Sequence, residues 1–146
     1  MEYIATSEEA TYKIAEEVLK GATGGDIFAL QGDLGAGKTT FVKGIARALG
    51  IAATITSPTF VLFKEYSIPE NQSAVPSPIQ KIVHVDAYRM HSIADAEAIG
   101  LPEYFERDDV MMFIEWPERI EQILPPRTKY LVFEYIDEKT RKVVSH

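Results

Sequence analysis

A glycine-rich segment that runs into a Lys-Thr pair constrains the fold of this chain more than any other feature. Residues 32–39 read Gly-Asp-Leu-Gly-Ala-Gly-Lys-Thr and fill every fixed position of the phosphate-binding pattern G-x-x-x-x-G-K-[ST]. A short apolar run precedes the segment at 26–31, and apolar residues at helical spacing follow it over 38–49. Strand, loop and helix therefore follow one another in the order that a phosphate-binding loop requires. The segment predicts that the chain binds a nucleoside triphosphate.

Each residue type in this loop has a physical reason to be there. Glycines permit backbone angles that are closed to other residues, so that successive N–H groups can turn toward phosphate oxygens. The helix that follows adds the positive end of its dipole. We expect the Lys38 ammonium to reach the β and γ phosphates and the Thr39 hydroxyl to bind Mg²⁺. The loop and first helical turn supply the predicted nucleotide contacts, which are Asp33, Leu34, Gly35, Ala36, Gly37, Lys38, Thr39 and Thr40.

Composition narrows the class of protein. With 146 residues the chain suits one domain, residues 1–146, with a proper core. It has no cysteine, and its three histidines are scattered, so the sequence predicts no zinc site. A net charge of −7 favours protein partners over direct contact with RNA. No apolar run approaches the ~20 residues of a membrane span and the start does not resemble a secretory signal, so the predicted location is cytoplasmic, without membrane contact.

The remaining pattern predicts an α/β fold. A first helix is expected to begin with Thr6 and Glu9 as a capping box. After the phosphate-loop helix, strands at 60–66 and 81–88 form an antiparallel hairpin across a proline-rich loop, 68–80, that we expect to be mobile.

The second half of the chain continues this alternation. We predict a helix at 92–99, a further turn at 102–107, a central strand at 110–116, a short helix at 117–124, a strand at 130–136 and a last edge strand at 141–145. The whole predicts a single P-loop NTPase domain with a mixed central sheet flanked by helices.

Two acids end predicted strands and are candidates for the chemistry beside the phosphates. Asp86 closes Ile-Val-His-Val-Asp, and Glu115 closes Met-Met-Phe-Ile-Glu. Ligands in open α/β sheets collect at the carboxyl ends of the strands, which is where both carboxylates would emerge if these strands flank the first one. Together with Lys38 they form the predicted catalytic set. We favour Asp86 on the magnesium side and Glu115 as water-orienting or as a second metal-side group, but the sequence does not separate these roles.

Two further residues have more than one interpretation. Thr59, in Ser-Pro-Thr-Phe, lies where switch segments of P-loop proteins reach over the γ phosphate, but the same residues suit a simple proline turn. Trp116 follows Glu115 and either walls the nucleotide site, is read by a partner or packs in the core. Both are included among the candidate nucleotide contacts.

Taken together, the motifs resemble the TsaE family. The matching segments are Gly-Asp-Leu-Gly-Ala-Gly-Lys-Thr-Thr-Phe at 32–41, Ser-Pro-Thr-Phe at 57–60, His-Val-Asp-Ala-Tyr-Arg at 84–89 and Glu-Trp-Pro-Glu at 115–118. The resemblance implies a Mg²⁺-dependent ATPase, weak alone and stimulated by partners, in the biosynthesis of threonylcarbamoyladenosine on tRNA. It implies TsaB and TsaD as partner proteins, with tRNA reached only through them.

Residue by residue, the resemblance assigns Lys38 and its loop to phosphate, Thr39 and Glu115 to Mg²⁺, and Asp86 to the second acidic motif. The chain departs from the family pattern at 69–78, a loop longer than usual, and in the tail after Lys139.

Three alternatives to an ATPase are a GTPase, a small-molecule kinase and a nucleotide-gated binding module. The sequence excludes a GTPase because it lacks the N-K-x-D motif that guanine-specific proteins generally use. Its only asparagine, Asn71, precedes Gln-Ser-Ala. A small-molecule kinase is the rival enzyme, although its expected lid, 68–80, contains no arginine. The third alternative is a nucleotide-gated binding module with negligible turnover until partners order its switch.

Overall fold

Strands that are apolar on both faces meet in the middle of a sheet, and the more polar strands extend it at either side. The computed structural model describes residues 1–58, 62–70 and 79–146. Within these ranges one sheet has seven strands in the order β1-β7-β6-β2-β5-β4-β3. The strands are β1 (Glu2–Ala5), β2 (Ile27–Gln31), β3 (Phe63–Ser67), β4 (Lys81–Asp86), β5 (Val110–Glu115), β6 (Lys129–Tyr135) and β7 (Arg141–Ser145).

Helices cover both faces of this sheet. The helices are α1 (Glu8–Lys20), α2 (Lys38–Ala48), α3 (Ile93–Ala98), α4 (Leu101–Phe105) and a 3₁₀ segment (Pro117–Ile123). One core cluster lies between the sheet and the pair α1 and α2, where Phe41 packs edge-on against Phe113 and Phe133. The other lies under α3, α4 and the 3₁₀ segment. The predicted mixed sheet flanked by helices is confirmed.

The four central strands are parallel, and their register places the strand ends together. In β5 every residue is buried, as expected for a strand covered on both faces. It pairs in parallel with β2 on one side and with β4 on the other. Glu115 lies opposite Leu30 of β2 and opposite Asp86 of β4. The carboxyl ends of three strands therefore meet beside the loop that follows β2.

The antiparallel hairpin after the phosphate-loop helix is confirmed, with shorter strands than predicted. β3 begins at Phe63 because Leu62 has a φ of 70°, a left-handed conformation that does not continue a strand. β4 ends at Asp86, two residues before the predicted limit. Ile79, at the end of the predicted mobile loop, is buried, and the Ile68 amide donates to the Gln80 carbonyl over 2.8 Å. The middle of that loop, 71–78, lies outside the described residues.

The start of α1 corrects the predicted cap. Ser7, and not Thr6, is the N-cap, with its hydroxyl accepting from the Ala10 amide over 3.0 Å. Ser7 has the extended backbone that a cap requires, and its side chain satisfies one of the amides left free in the first turn. Thr6 and Ser7 are successive hydroxyl residues, and the capping-box pattern alone predicted the wrong one as the cap.

At the other side of the sheet, the prediction that 141–145 is an edge strand is wrong. β7 lies between β6 and β1, and β1 is the edge strand. The Ser145 amide donates to the Met1 carbonyl over 2.9 Å, which joins the two ends of the chain in the sheet. The four residues of β1 were not recognised in the sequence because so short a strand shows no periodicity of its own.

Among the described helices, the longest is too short and too polar to cross a bilayer.

Candidate functional site

The loop between β2 and α2 depends on glycine at three positions. Gly32, Gly35 and Gly37 have φ values of 150°, 81° and 106°, which side-chain-bearing residues rarely adopt. Space is a second constraint at Gly32, where a Cβ atom would lie 2.5 Å from the Phe133 carbonyl oxygen. The loop thus packs its backbone against β6 while it curves around the space in front of α2.

The N-terminus of α2 is left open by its own sequence. Gly37 is the N-cap residue and offers no side chain to the first-turn amides, and the first turn contains no acidic residue. Free amides at the N-terminus of an 11-residue helix attract anions, since the peptide dipoles point their positive ends there. The arrangement suits a phosphate group.

Lys38 brings a buried cation to this end of the helix. The residue is only 4% exposed, and its ammonium donates to the Gly32 carbonyl and lies 3.8 Å from the centre of the Trp116 ring. Burial lowers the pKa of the Lys38 amine, while Glu115 and more distant carboxylates act in the opposite direction. A cation held out of water interacts more strongly with an anion than a solvated lysine would.

Trp116 adopts a strained conformation to reach Lys38. Its φ of 57° and ψ of 49° are left-handed, which costs about 1–2 kcal/mol in a residue with a side chain. A desolvated cation–π contact contributes about 2 kcal/mol, enough to offset that strain. The ring also packs against Tyr88, with 5.0 Å between centres. Of the three interpretations for Trp116, the geometry favours a wall of the site.

Glu115 connects three elements of the fold through one oxygen atom. The Thr39 hydroxyl donates to Glu115 Oε2 over 3.1 Å, and His84 Nε2 lies 2.6 Å from the same oxygen. Glu115 is only 4% exposed. A threonine hydroxyl beside a buried carboxylate is the donor set that a hard cation such as Mg²⁺ accepts when phosphate oxygens and water complete its shell.

Asp86, the other strand-end acid, is engaged differently. Its Oδ2 accepts from the Ser57 hydroxyl over 3.0 Å, and its Oδ1 accepts from the Tyr88 amide over 2.9 Å. Asp86 therefore holds the segment that leads toward position 59 against the end of β4. Thr59 itself lies outside the described residues.

A cavity of about 410 Å³ joins these groups. Its walls come from the phosphate loop, the start of α2, the segment at Ser57 and the ends of β4 and β5, and they include Leu34, Gly35, Gly37, Lys38, Thr39, Asp86, Glu115 and Trp116 among the predicted residues. Asp33, Ala36 and Thr40 do not line it. Asp33 is exposed, whereas the Ala36 side chain is buried beneath the loop and is 1% exposed.

A second cavity, of about 430 Å³, lies on the other side of the same loop. Gly35 and Gly37 line both cavities, and Thr40 faces the second one. Its other walls come from the turn before α1, the first turn of α1, the β6–β7 connection and the start of β7, and they are Thr6, Ser7, Glu8, Thr11, Glu138, Lys139 and Arg141.

Arg141 also contacts this loop, although its position in the sequence did not predict a place in the site. Its Nε donates to the Gly35 carbonyl over 3.0 Å, so that β7 holds the phosphate loop from the side of the second cavity. Nothing local to 141–145 predicts a contact with a residue more than 100 positions away; only the pairing of β7 with β6 brings the two together.

Comparison with known proteins decides the family. Residues 5–143 match the sequence profile of the protein family "Threonylcarbamoyl adenosine biosynthesis protein TsaE". The chain belongs to the TsaE family. The resemblance found in the four sequence motifs is thereby confirmed over nearly the whole chain.

Individual TsaE proteins give the same result. The tRNA threonylcarbamoyladenosine biosynthesis protein TsaE of Bacillus subtilis is 37% identical, over 98% of this chain and 83% of its own length. That of Aquifex aeolicus is 38% identical, over 97% of this chain and 92% of its own length. The crystal structure of Bacillus subtilis YdiB superposes with a TM-score of 0.76 at 32% identity, covering 99% of this chain and 83% of that one.

Proposed function

We propose that this protein is the Mg²⁺-dependent ATP-binding and ATP-hydrolysing component of the machinery that makes threonylcarbamoyladenosine on tRNA. Its TsaE relatives are named for that biosynthesis. The single observation that carries the ATP-binding part is the loop between β2 and α2, where Lys38 and the Thr39–Glu115 pair line one cavity at the open end of α2.

Within this proposal Lys38 binds the terminal phosphates. Among the described residues its ammonium contacts a carbonyl oxygen and an aromatic ring, both of which are weaker partners for a cation than phosphate. Thr39 and Glu115 would hold Mg²⁺ from the side of α2 and β5. A Mg²⁺ ion held there would supply positive charge that offsets the negative charge developing during phosphoryl transfer.

For the two acids, the hydrogen bonds favour different tasks. Glu115 touches the proposed magnesium ligand Thr39, whereas both oxygens of Asp86 already accept hydrogen bonds from Ser57 and Tyr88. We therefore assign the magnesium side to Glu115 and give Asp86 the task of holding the segment before Thr59. A direct role of Asp86 toward the metal, and of Thr59 toward the γ phosphate, stay predictions.

The nucleoside half of ATP belongs in the second cavity. Gly35 and Gly37 line both cavities, so a phosphate chain beside them would direct its terminal end to the cavity of Lys38 and its other end to the cavity lined by Thr40 and Arg141. A cavity of about 430 Å³ is large enough for a nucleoside.

Turnover is expected to depend on partner proteins of the TsaB and TsaD type, with tRNA bound through them. The chain carries a net charge of −7, which disfavours extended contact with RNA by this protein alone. Cytoplasmic location follows from the same proposal, since tRNA modification takes place where tRNA is made and used.

The test compares ATP turnover of the protein alone with turnover in the presence of TsaB, TsaD and tRNA. We expect slow hydrolysis alone and a clear stimulation by the complex. Lys38→Met should abolish both nucleotide binding and stimulation, because it removes the charge and keeps the length of the side chain. Lys43→Met is the matched control, since Lys43 is an exposed lysine of the same helix.

Two results would contradict the proposal. One is nucleotide affinity and turnover in Lys38→Met equal to those of the unmodified protein. The other is phosphoryl transfer to a small-molecule acceptor without any stimulation by the partners, which would indicate a kinase.

A further inference from the structure

His84 is a fully buried polar residue to which the proposed function assigns no task. It lies in the middle of β4, opposite Phe113 of β5, and is 0% exposed. Side chains alternate along a strand, so that His84 and Asp86 share one face of the sheet with Phe113 and Glu115. This face is the one that α2 covers.

The histidine contacts the oxygen of Glu115 that also receives Thr39. His84 Nε2 lies 2.6 Å from Glu115 Oε2, and the Thr39 hydroxyl lies 3.1 Å from it. In the described part of the chain no hydrogen bond falls on Oε1. Two groups from two different elements thus fix one oxygen of the carboxylate and leave the second oxygen for a ligand.

The surroundings of the ring indicate which nitrogen carries the proton. An ionised carboxylate only accepts hydrogen bonds, so the contact requires a proton on Nε2. Nδ1 is buried and has no hydrogen-bond partner among the described residues. A proton on Nδ1 would leave a buried donor unsatisfied, which is costly, whereas a bare nitrogen there is the lesser penalty. Hydrogen on Nε2 therefore satisfies the carboxylate of Glu115.

We propose that His84 is a positioning residue that orients Glu115 for a divalent cation. This inference rests on the proposed function, in which Thr39 and Glu115 hold Mg²⁺. Buried groups that hydrogen-bond to a ligating carboxylate commonly set metal affinity without touching the metal.

The experiment measures how far Mg²⁺ tightens the binding of a non-hydrolysable ATP analogue, as the ratio of dissociation constants in EDTA and in Mg²⁺. His84→Asn places its amide near the position of Nδ1, away from Glu115, and should reduce this ratio by about 10- to 100-fold. His84→Gln extends an N–H toward the position of Nε2 and should retain most of the ratio. Affinity in EDTA should be the same in all variants, which a general loss of structure would not allow.

The control substitution is His91→Asn, because His91 is exposed and remote from Glu115 in the hydrogen-bond pattern. A ratio in His84→Asn equal to that of the unmodified protein would overturn the inference, as would equal losses in the Asn and Gln variants. If the unmodified protein shows no tightening by Mg²⁺, the proposed function itself fails.

A second measurement needs no variant. Long-range ¹H–¹⁵N NMR of the unmodified protein reports which nitrogen of His84 carries hydrogen. Hydrogen on Nε2 supports the inference, and hydrogen on Nδ1 alone overturns it, even if His84→Asn does not fold.

Discussion

At the scale of single residues, the phosphate loop is determined by backbone conformation as much as by side-chain chemistry. Gly32 is constrained twice, by a φ of 150° and by the Phe133 carbonyl that a Cβ would meet at 2.5 Å. Gly35 is constrained once, by a φ of 81°, and a Cβ there meets nothing within 4 Å. Gly32 fills a fixed position of the sequence pattern and Gly35 does not, and of these two positions an added Cβ atom meets another group only at Gly32.

Gly35→Ala is expected to lower the free energy of unfolding by about 1–2 kcal/mol, the cost of a left-handed residue with a Cβ. Gly32→Ala should lower it by about 3 kcal/mol or more, because backbone strain and a clash with a backbone oxygen add. Urea unfolding followed by circular dichroism measures both. Gly21→Ala, at a φ of −95° with room for a methyl group, is the control and should change little. Equal losses at positions 32 and 35 would contradict this account.

At the scale of elements, the contact between α1 and α2 is set by one small residue. Gly44 lies in the interior of α2, where a Cβ would come within 2.9 Å of the Ala15 Cβ and 3.0 Å of the Tyr12 Cα. The backbone of α2 at Gly44 therefore packs directly against α1. A glycine inside a helix normally destabilises it by roughly 0.5–1 kcal/mol relative to alanine, and here that cost permits the close approach.

Gly44→Ala should therefore lower the free energy of unfolding by about 1–2 kcal/mol, since overpacking outweighs the gain in helix propensity. Adding Ala15→Gly removes the closest contact, so the two changes together should cost less than the sum of the single changes. A double-mutant cycle from urea unfolding gives this coupling, expected to exceed about 0.5 kcal/mol. A stabilising Gly44→Ala would mean that the helices separate without cost.

The elements also show what a sequence reveals and what it conceals. The phosphate loop, its strand and its helix were predictable because their sequence pattern and the interactions that form them involve residues close together in the chain. β5 was predictable because a continuous apolar run of strand length is typical of a central strand that is covered on both faces. Three features could not be predicted from the sequence: the order of β7 and β1, the cap at Ser7 instead of Thr6, and the contact of Arg141 with Gly35. Each depends on a contact or a cap geometry that no neighbouring residue encodes.

The site divides in the same way. Lys38, Thr39 and both strand-end acids are recognisable from motif and position, and they line one cavity. The partners that give the acids their separate surroundings, His84 for Glu115 and Ser57 for Asp86, come from side-chain geometry across the sheet. Sequence alone left the two acids interchangeable for that reason.

At the scale of the whole molecule, several basic residues near the end of the chain are paired with other groups of the same chain. Lys129 pairs with Asp26 at 2.8 Å and Lys142 with Glu2 at 3.2 Å. Arg127 donates to the carbonyl of Phe105, inside the chain's own fold. Cations that already have partners contribute little to the counter-ion release that drives binding to RNA.

The isolated protein should consequently bind tRNA no more tightly than about 10⁻⁴ M at physiological salt, the weak end of non-specific affinity. Filter binding or fluorescence anisotropy with labelled tRNA measures this, and the same titration with TsaB and TsaD present serves as the positive control. Micromolar binding by this chain alone, falling steeply with added salt, would reveal a phosphate-contacting surface that the charge pattern conceals.

The register of β5 against its two neighbours has a practical consequence. Glu115 meets Thr39 only because it lies opposite Leu30 on one side and Asp86 on the other, and a slip of one residue would turn its carboxylate to the far face of the sheet. Under the proposed function, the effect of Mg²⁺ on nucleotide affinity therefore depends on the correct alignment of β5 with β2 and β4. A misassembled molecule with normal secondary structure would lose the tightening by Mg²⁺, so this tightening can serve as a quality measure for refolded material.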